Sequence, residues 1–363
     1  MSERSGAIIR LLLIVSLPFS QALQSQFQTN CQPGCKCSPE EYKCINLHHT
    51  DTDVFKHVRP EVYHDLDTLI VSGNNFGDLE AENIFGENVR HSRLSLLDLS
   101  NNHITSFGIQ TLIGASRVET LKLDHNDLTA FADEQPLNFL TSLRIIDLTD
   151  AFGGHASVKR RADLIRTLFK NNHSFPDLYE INLSDNQLRY LHPETFCNVK
   201  GLSRLILNNN KLADFDFQDG CLEGLASLEL RQNKFVSVPS KVWKTLPSLN
   251  TLDLSKNPLT CDCELQGFHE FALDESNSFL SQGETICAAP SQFKGKPLFE
   301  IEDNFCRATS RSLHWFILFL VAGVVLYGYR EFRRRGKTIN FKIFKGYSQL
   351  QSENANSTEP AFV

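Results

Sequence analysis

Residues 97–107, LDLSNNHITSF, decide how the rest of the chain is read. Leu97 and Leu99 flank a polar residue, the two-residue period of a half-buried strand. Asn102 follows where such a strand turns, and Ile104 and Phe107 continue the apolar spacing beyond it. The same arrangement, L-x-x-L-x-L-x-x-N-x-L-x-x-(L/F), can be laid down eight times, starting at Leu66, Leu94, Val118, Leu143, Leu178, Leu202, Leu225 and Leu249. Its asparagine slot holds Asn74, Asn102, Asn126, Ala151, Asn186, Asn210, Asn233 and Asn257. Seven asparagines in eight matching slots mark a structural repeat rather than a leucine-rich coincidence.

A single repeat of this length cannot bury its apolar face alone, so successive repeats must stack as rungs. The expected fold is α/β: a solenoid of about eight rungs, with a parallel sheet on its concave side. Inward positions Leu69, Leu97, Leu121, Ile146, Ile181, Leu205, Leu228 and Leu252 should form one continuous ladder. Ile70, Asp98, Lys122, Asp147, Asn182, Ile206, Glu229 and Asp253 should form the neighbouring outward column. Eight strands about 4.8 Å apart give a strip roughly 38 Å long. A strip suits a protein partner better than a closed pocket for a small molecule. Each buried asparagine needs partners for its amide, and the backbone of the neighbouring rung can supply them.

One stretch, IDLTDAFGGHASVKRR at residues 146–161, begins like a rung and then fails. The start-to-start steps are 28, 24, 25, 35, 24, 23 and 24, so the step after Leu143 carries about eleven residues too many. Ala151 stands where an asparagine belongs, and the chain is expected to leave the stack there and return at Asn186. Within the extra segment Val158, Ala162, Ile165, Leu168 and Phe169 fall at helical spacing, which predicts a short helix packed on the solenoid. Lys159, Arg160, Arg161, Arg166 and Lys170 are either a solvated helix face or a candidate binding patch for heparan sulfate or an acidic receptor surface.

Two apolar segments bear on the compartment. Residues 1–22 carry Arg4 and Arg10, then LLLIVSLPF, then the small-residue ending SQA, the pattern of a signal peptide cleaved after Ala22. Leu313 to Tyr329, LHWFILFLVAGVVLYGY, holds no Lys, Arg, Asp or Glu and spans about 26 Å as a helix, near the short limit for a bilayer. The basic run REFRRRGK follows it and places the C-terminal side in the cytosol. The chain thus reads as a single-pass type I protein of the plasma membrane. The net charge of −7 divides into +1 for the first 22 residues, +4 from Arg330 onward, and −12 between. An acidic body argues against nucleic acid as its partner.

Cysteines flank the repeats. Cys31, Cys35, Cys37 and Cys44 precede the first rung, and Cys261, Cys263, Cys287 and Cys306 follow the last. An oxidising compartment favours disulfides over zinc for these groups, but spacing alone leaves their connectivity open. Cys197 and Cys221 occupy nearly equivalent places on adjacent rungs, as a disulfide or as two buried thiols.

Repeats and flanking modules together resemble the extracellular leucine-rich repeat family, over roughly residues 60–260. That resemblance implies the pairs Cys31–Cys37, Cys35–Cys44, Cys261–Cys287 and Cys263–Cys306. The interruption between two blocks of rungs, in a short single-pass chain, resembles more narrowly the trophoblast glycoprotein (Wnt-activated inhibitory factor) family. What this implies is a surface protein that dampens canonical Wnt signalling at the receptor stage and affects cell movement and adhesion. The segments are then a signal peptide (1–22), a cysteine-rich N-terminal cap (23–60), a first repeat block (61–150) and an insertion (151–177). A second block (178–260), a C-terminal cap (261–306), a juxtamembrane piece (307–312), the span (313–329) and a tail (330–363) complete the chain.

Two sequons lie in the expected ectodomain, Asn172-His173-Ser174 and Asn182-Leu183-Ser184. Asn182 sits between inward residues, so a glycan there would obstruct the concave strip; the alternative is an unused sequon. In the tail, Tyr347-Ser348-Gln349-Leu350 resembles a clathrin-adaptor signal, and the C-terminal Ala361-Phe362-Val363 resembles a ligand for PDZ domains. No nucleophile elbow, zinc-protease motif or phosphate loop occurs, and His48, His49, His57 and His64 have no metal-like arrangement, so neither an enzyme nor a cofactor is expected. Two other readings compete with Wnt modulation: a cell-adhesion or synapse-organising receptor, and an auxiliary subunit of an ion channel.

Overall fold

The computed structural model describes residues 30–79, 82–170, 175–214, 216–238, 245–272, 277–301 and 307–334. The expected signal peptide at residues 1–22, Asn172, Cys306 and the C-terminal residues Tyr347, Leu350 and Val363 lie outside them. Two units are separable along the chain, one ending at Phe305 and one beginning at Cys306.

The first unit is a leucine-rich repeat solenoid. Its rungs contribute β3 (Thr68–Ser72), β4 (Leu96–Asp98), β5 (Thr120–Lys122), β6 (Ile145–Asp147), β7 (Glu180–Asn182), β8 (Arg204–Ile206), β9 (Ser227–Glu229) and β10 (Thr251–Asp253). All pair in parallel and in sequence order. The register joins Leu69, Leu97, Leu121, Ile146, Ile181, Leu205, Leu228 and Leu252 into one line of cross-strand partners. Each of these side chains is at most 2% exposed. Full burial of a Leu or Ile side chain is worth about 1.5–3 kcal/mol, so this line alone is a large part of the driving force.

The sheet is longer than the repeats. β1 (Lys36–Cys37) and β2 (Glu41–Ile45) extend it at one end, and β12 (Ser278–Phe279) at the other, giving eleven strands. In β2 the inward Tyr42 and Cys44 are fully buried, so the N-terminal cap is itself a rung of the stack. The structure pairs Cys31 with Cys37, Cys35 with Cys44, and Cys261 with Cys287. Cys263 is also disulfide-bonded. Cys197 and Cys221 are bridged, tying the fifth rung's outer turn to the sixth's.

Buried asparagines hold the turns. The Oδ1 of Asn210 accepts the N–H groups of Asn186 (3.1 Å) and Leu188 (2.9 Å) in the rung before it. Its Nδ2 donates to Leu183 O (2.9 Å) in that rung and to Leu207 O (3.0 Å) in its own. Asn126 and Asn257 repeat this two-sided arrangement. An amide serves both sides. A leucine would orphan four backbone groups, and an aspartate would bury a charge and leave the two carbonyls without a donor. The residue before the slot is left-handed in all eight rungs: Gly73, Asn101, His125, Asp150, Asp185, Asn209, Gln232 and Lys256, with φ between 47° and 73°. At Gly73 a Cβ would also meet Asn46 Oδ1 at 1.9 Å, so two constraints select glycine.

Ala151 corrects an expectation. The chain does not leave the stack there. Ala151 is fully buried, and Asn186 Oδ1 accepts its N–H at 3.0 Å and that of Phe152 at 3.2 Å. The Ala151 carbonyl accepts from Leu128 N–H at 2.8 Å, as the Asn102 carbonyl accepts from Phe76 N–H at 3.0 Å. What Ala151 lacks is a side chain that both accepts from and donates to the rung before it, as Asn126 does with Asn102 N–H (3.1 Å) and Leu99 O (3.0 Å); Asn126 Nδ2 also bonds Leu123 O, within its own rung, at 2.8 Å.

The remaining helices are small. α1 (Asp53–Lys56) lies between β2 and β3, and α2 (Val158–Phe169) forms the interruption. β11 (Leu259–Thr260), α3 (Gln266–Ala272) and β13 (Cys287–Ala289) build the C-terminal cap. The second unit contains α4, Arg307–Arg334. It is longer than the expected 17-residue span, because the juxtamembrane residues and Arg330–Arg334 continue the same helix. Its 28 residues reach about 42 Å, enough for a bilayer. The segment long and apolar enough to cross is Trp315–Arg334, with mean hydropathy 1.5, and Phe316 (64%) and Phe319 (71%) stand exposed on it.

Replacing Asn210 with Ala should lower stability by about 2–4 kcal/mol, because buried donors and acceptors lose their partners. Thermal melts of the repeat unit should show a Tm drop of several degrees, whereas Lys211→Ala, at an exposed neighbour, should leave Tm nearly unchanged.

Candidate functional site

The concave face is the surface that the fold leaves open. The outward column runs Ile70, Asp98, Lys122, Asp147, Asn182, Ile206, Glu229 and Asp253 in register. Its two halves differ electrostatically. In the first block Asp98, Asp124 and Asp147 crowd together, with the Lys122 ammonium 3.9 Å from Asp98. Burial pushes the Asp124 carboxyl up, and Asp147 and Asp98 add to the rise, while the hydrogen bond to His125 opposes it. The His125 imidazole is pushed up in turn, chiefly by its 2.9 Å hydrogen bond to Asp124.

In the second block the charges are cross-linked. The Arg204 guanidinium bridges Glu229 (2.7 Å) and Glu180 (3.3 Å), and Glu229 also accepts from Asn208 Nδ2 at 2.8 Å. Arg231 pairs with Glu284 and donates to Ser255 Oγ at 2.8 Å. The face is therefore an acidic half joined to a more nearly neutralised half. It forms an open strip, with no group of three or more potential metal-ligating side chains among the described residues.

The insertion is a second candidate, and α2 is the helix its spacing predicts. Ser157 caps it, its Oγ accepting Arg160 N–H at 3.2 Å. Ala162, Ile165, Leu168 and Phe169 are buried as expected, with the Phe169 ring tilted by 49° against that of Phe196 in the next rung, centroids 5.5 Å apart. Leu164 is buried too, while Val158 is only half-buried.

The five cations do not form one open patch. Arg161 turns inward, 4% exposed, and donates to Gly153 O (3.4 Å) and Gly154 O (3.0 Å), closing the loop that leads into the helix. Arg160 Nε donates to Thr129 O at 3.0 Å. Arg166 pairs with Glu194 (3.2 Å) and Asp163 (3.4 Å), and Lys170 pairs with Glu134 (2.6 Å). A groove of about 450 Å³ there is lined by Glu134, Arg166, Lys170 and Glu194, two charges of each sign. The helix, itself part of the fourth rung, thus ties the third rung to the fifth, and among the described residues Lys159 is the one exposed cation of the five whose ammonium has no hydrogen-bond or ion-pair partner.

Sequence reasoning placed the concave column correctly but missed the unequal charge balance of its halves. That balance depends on neighbours such as Asn208 and Glu284, which the repeat pattern does not bring together. It also counted Arg161 as a surface cation, although Arg161, Ile165 and Leu168 share one helical face.

A Leucine Rich Repeat family profile matches residues 177–199, the fifth rung. Among curated proteins, Tsukushi of Gallus gallus is 29% identical over 63% of this chain and 66% of its own length. Toll-like receptor 4 of Bos taurus is 25% identical over 65% of this chain and 30% of its own. The chain thus spans less than two thirds of the length of these relatives. Among solved structures, human trophoblast glycoprotein (Wnt-activated inhibitory factor 1) superposes with a TM-score of 0.58 at 20% identity, covering 75% of this chain and 96% of that one. A chain from the octameric complex of Latrophilin 3, Unc5D and FLRT2 gives a TM-score of 0.53 at 19% identity, over 74% and 76%. These structural likenesses show the shared fold.

The role assigned to the insertion's cations can be tested by substitution. Arg161→Ala should cost about 1–3 kcal/mol of the repeat unit's stability, because it removes buried hydrogen bonds and leaves a cavity. Lys159→Ala should fall within about 0.5 kcal/mol of the parent in the same denaturant titration.

Proposed function

We propose that this chain is a single-pass cell-surface protein whose repeat ectodomain binds a protein partner, and that it acts as a modulator of canonical Wnt signalling with effects on cell migration and adhesion. The observation that carries this reading is the combined layout. Disulfide-bonded caps close an eleven-stranded open strip, a helix interrupts the rungs, and one apolar helix follows the C-terminal cap. Disulfides at both ends support an oxidising location for the repeats. The exposed apolar surface of α4 supports a membrane span, and the arginines at its end support a cytosolic location for the chain beyond it. A strip about 38 Å long offers the roughly 800 Å² per partner of an ordinary protein–protein interface. Likeness to trophoblast glycoprotein over nearly that whole chain supports the choice of pathway.

An adhesion or synapse-organising receptor is the second reading, favoured by the likeness to a chain of the Latrophilin 3, Unc5D and FLRT2 complex.

A Wnt reporter measured in one cell line with and without the full chain at its surface tests the first reading. Reporter output should fall when the chain is present, and should still fall when Leu313–Tyr329 is exchanged for an unrelated apolar span. Unchanged output, with surface display verified, contradicts Wnt modulation. Loss of the effect on exchanging the span points instead to a partner inside the membrane.

A further inference from the structure

Asn182 differs in kind from the residues that fill its position in other rungs. Asp98, Asp147 and Asp253 end their strands with a carboxylate that accepts the N–H two residues on: Ser100 at 3.0 Å, Thr149 at 3.0 Å and Ser255 at 2.9 Å. Asn182 makes the same bond, its Oδ1 accepting Ser184 N–H at 3.1 Å and Ser184 Oγ–H at 2.7 Å. This local duty uses only the amide's oxygen. Where an aspartate has its second carboxylate oxygen, Asn182 has Nδ2, and no group among the described residues accepts from it. The side chain is half-buried on the concave face, with Asp147 and Ile206 as its cross-strand partners. Leu183, not proline, stands between Asn182 and Ser184, so the sequon is chemically competent.

From this we infer that Asn182 is an N-glycosylation site whose sugar stands on the concave face and divides it. The reaction forms a bond from Nδ2 to C1 of the first sugar. It breaks the C1–O bond of an oligosaccharyl lipid diphosphate donor, which leaves with the bonding electron pair, while Nδ2 loses one proton. The folded rung accommodates the product, because the bonds that shape the turn remain with Oδ1. A partner then engages the acidic half, β2–β6, or the neutralised half, β8–β10, rather than lying along the full strip. The inference rests on the extracellular placement of the repeats proposed above.

The full chain made in secretory cells tests it by peptide mapping after enzymatic glycan release in heavy-oxygen water, which marks formerly glycosylated asparagines. Position 182 should carry the mark, and Asn182→Asp should migrate faster by one glycan step. That variant retains the Oδ1 acceptor found in the other rungs, so its Tm should match that of the enzymatically deglycosylated parent. Ser184→Ala should lose the same glycan with Asn182 intact. Recovery of unmodified position 182 overturns the inference. If Asn172 is then marked, or the repeats accept an impermeant surface label, the extracellular reading stands without it. If neither holds, both fall together.

Discussion

Everything in the first unit depends on hydrogen bonds between the amide of a buried asparagine and the backbone of the rung before it. Stacked strands supply the inward leucines, but burying those leucines forces each chain turn into the interior, where its N–H and C=O groups lose water. The asparagine at positions such as 126, 210 and 257 returns partners to the turn from both ends of one side chain. It also offsets the left-handed residue just before it, a conformation costing about 1–2 kcal/mol outside glycine. The concave strip is regular because these turns are regular.

That division of labour explains why the fold survives Ala151. The accepting oxygen belongs to the later rung, Asn186, and the donors are backbone N–H groups that any residue other than proline provides. Losing one asparagine removes both the acceptor and the donor that its side chain would turn toward the earlier rung, but leaves the link to the following one. The extra residues can therefore depart after Phe152, fold into a capped helix, and bury Leu164, Ile165 and Leu168 against the stack. An interruption that divides two blocks in the sequence is, in the structure, packed between them.

Much of this was legible in the residues. Period-two leucines fixed the eight repeat strands and their register, because a slip of one residue would turn the apolar set outward. The strand in each cap was not legible. Glu41–Ile45 alternates correctly but lacks the asparagine turn, and Ser278–Phe279 is too short to show a period. The left-handed slot escaped notice because Lys256, Gln232 and His125 share it with Gly73 and Asn101. Its signal was present in the Gly, Asn and Asp residues that fill five of the eight positions. Arg161 was misplaced because charge outweighed helical position in the reading. In the fold, two loop carbonyls make the inward site hospitable to a guanidinium.

Amide hydrogen exchange on the repeat unit probes the asparagine ladder most directly, at the N–H groups of Asn102, Ala151, Asn186 and Asn233, each bonded to the asparagine oxygen of the next rung. A continuous stack predicts comparable, strong protection at all four, with β6 and β7 opening together with their neighbours. Rapid exchange at Ala151, with the rungs on either side opening independently, would contradict the account.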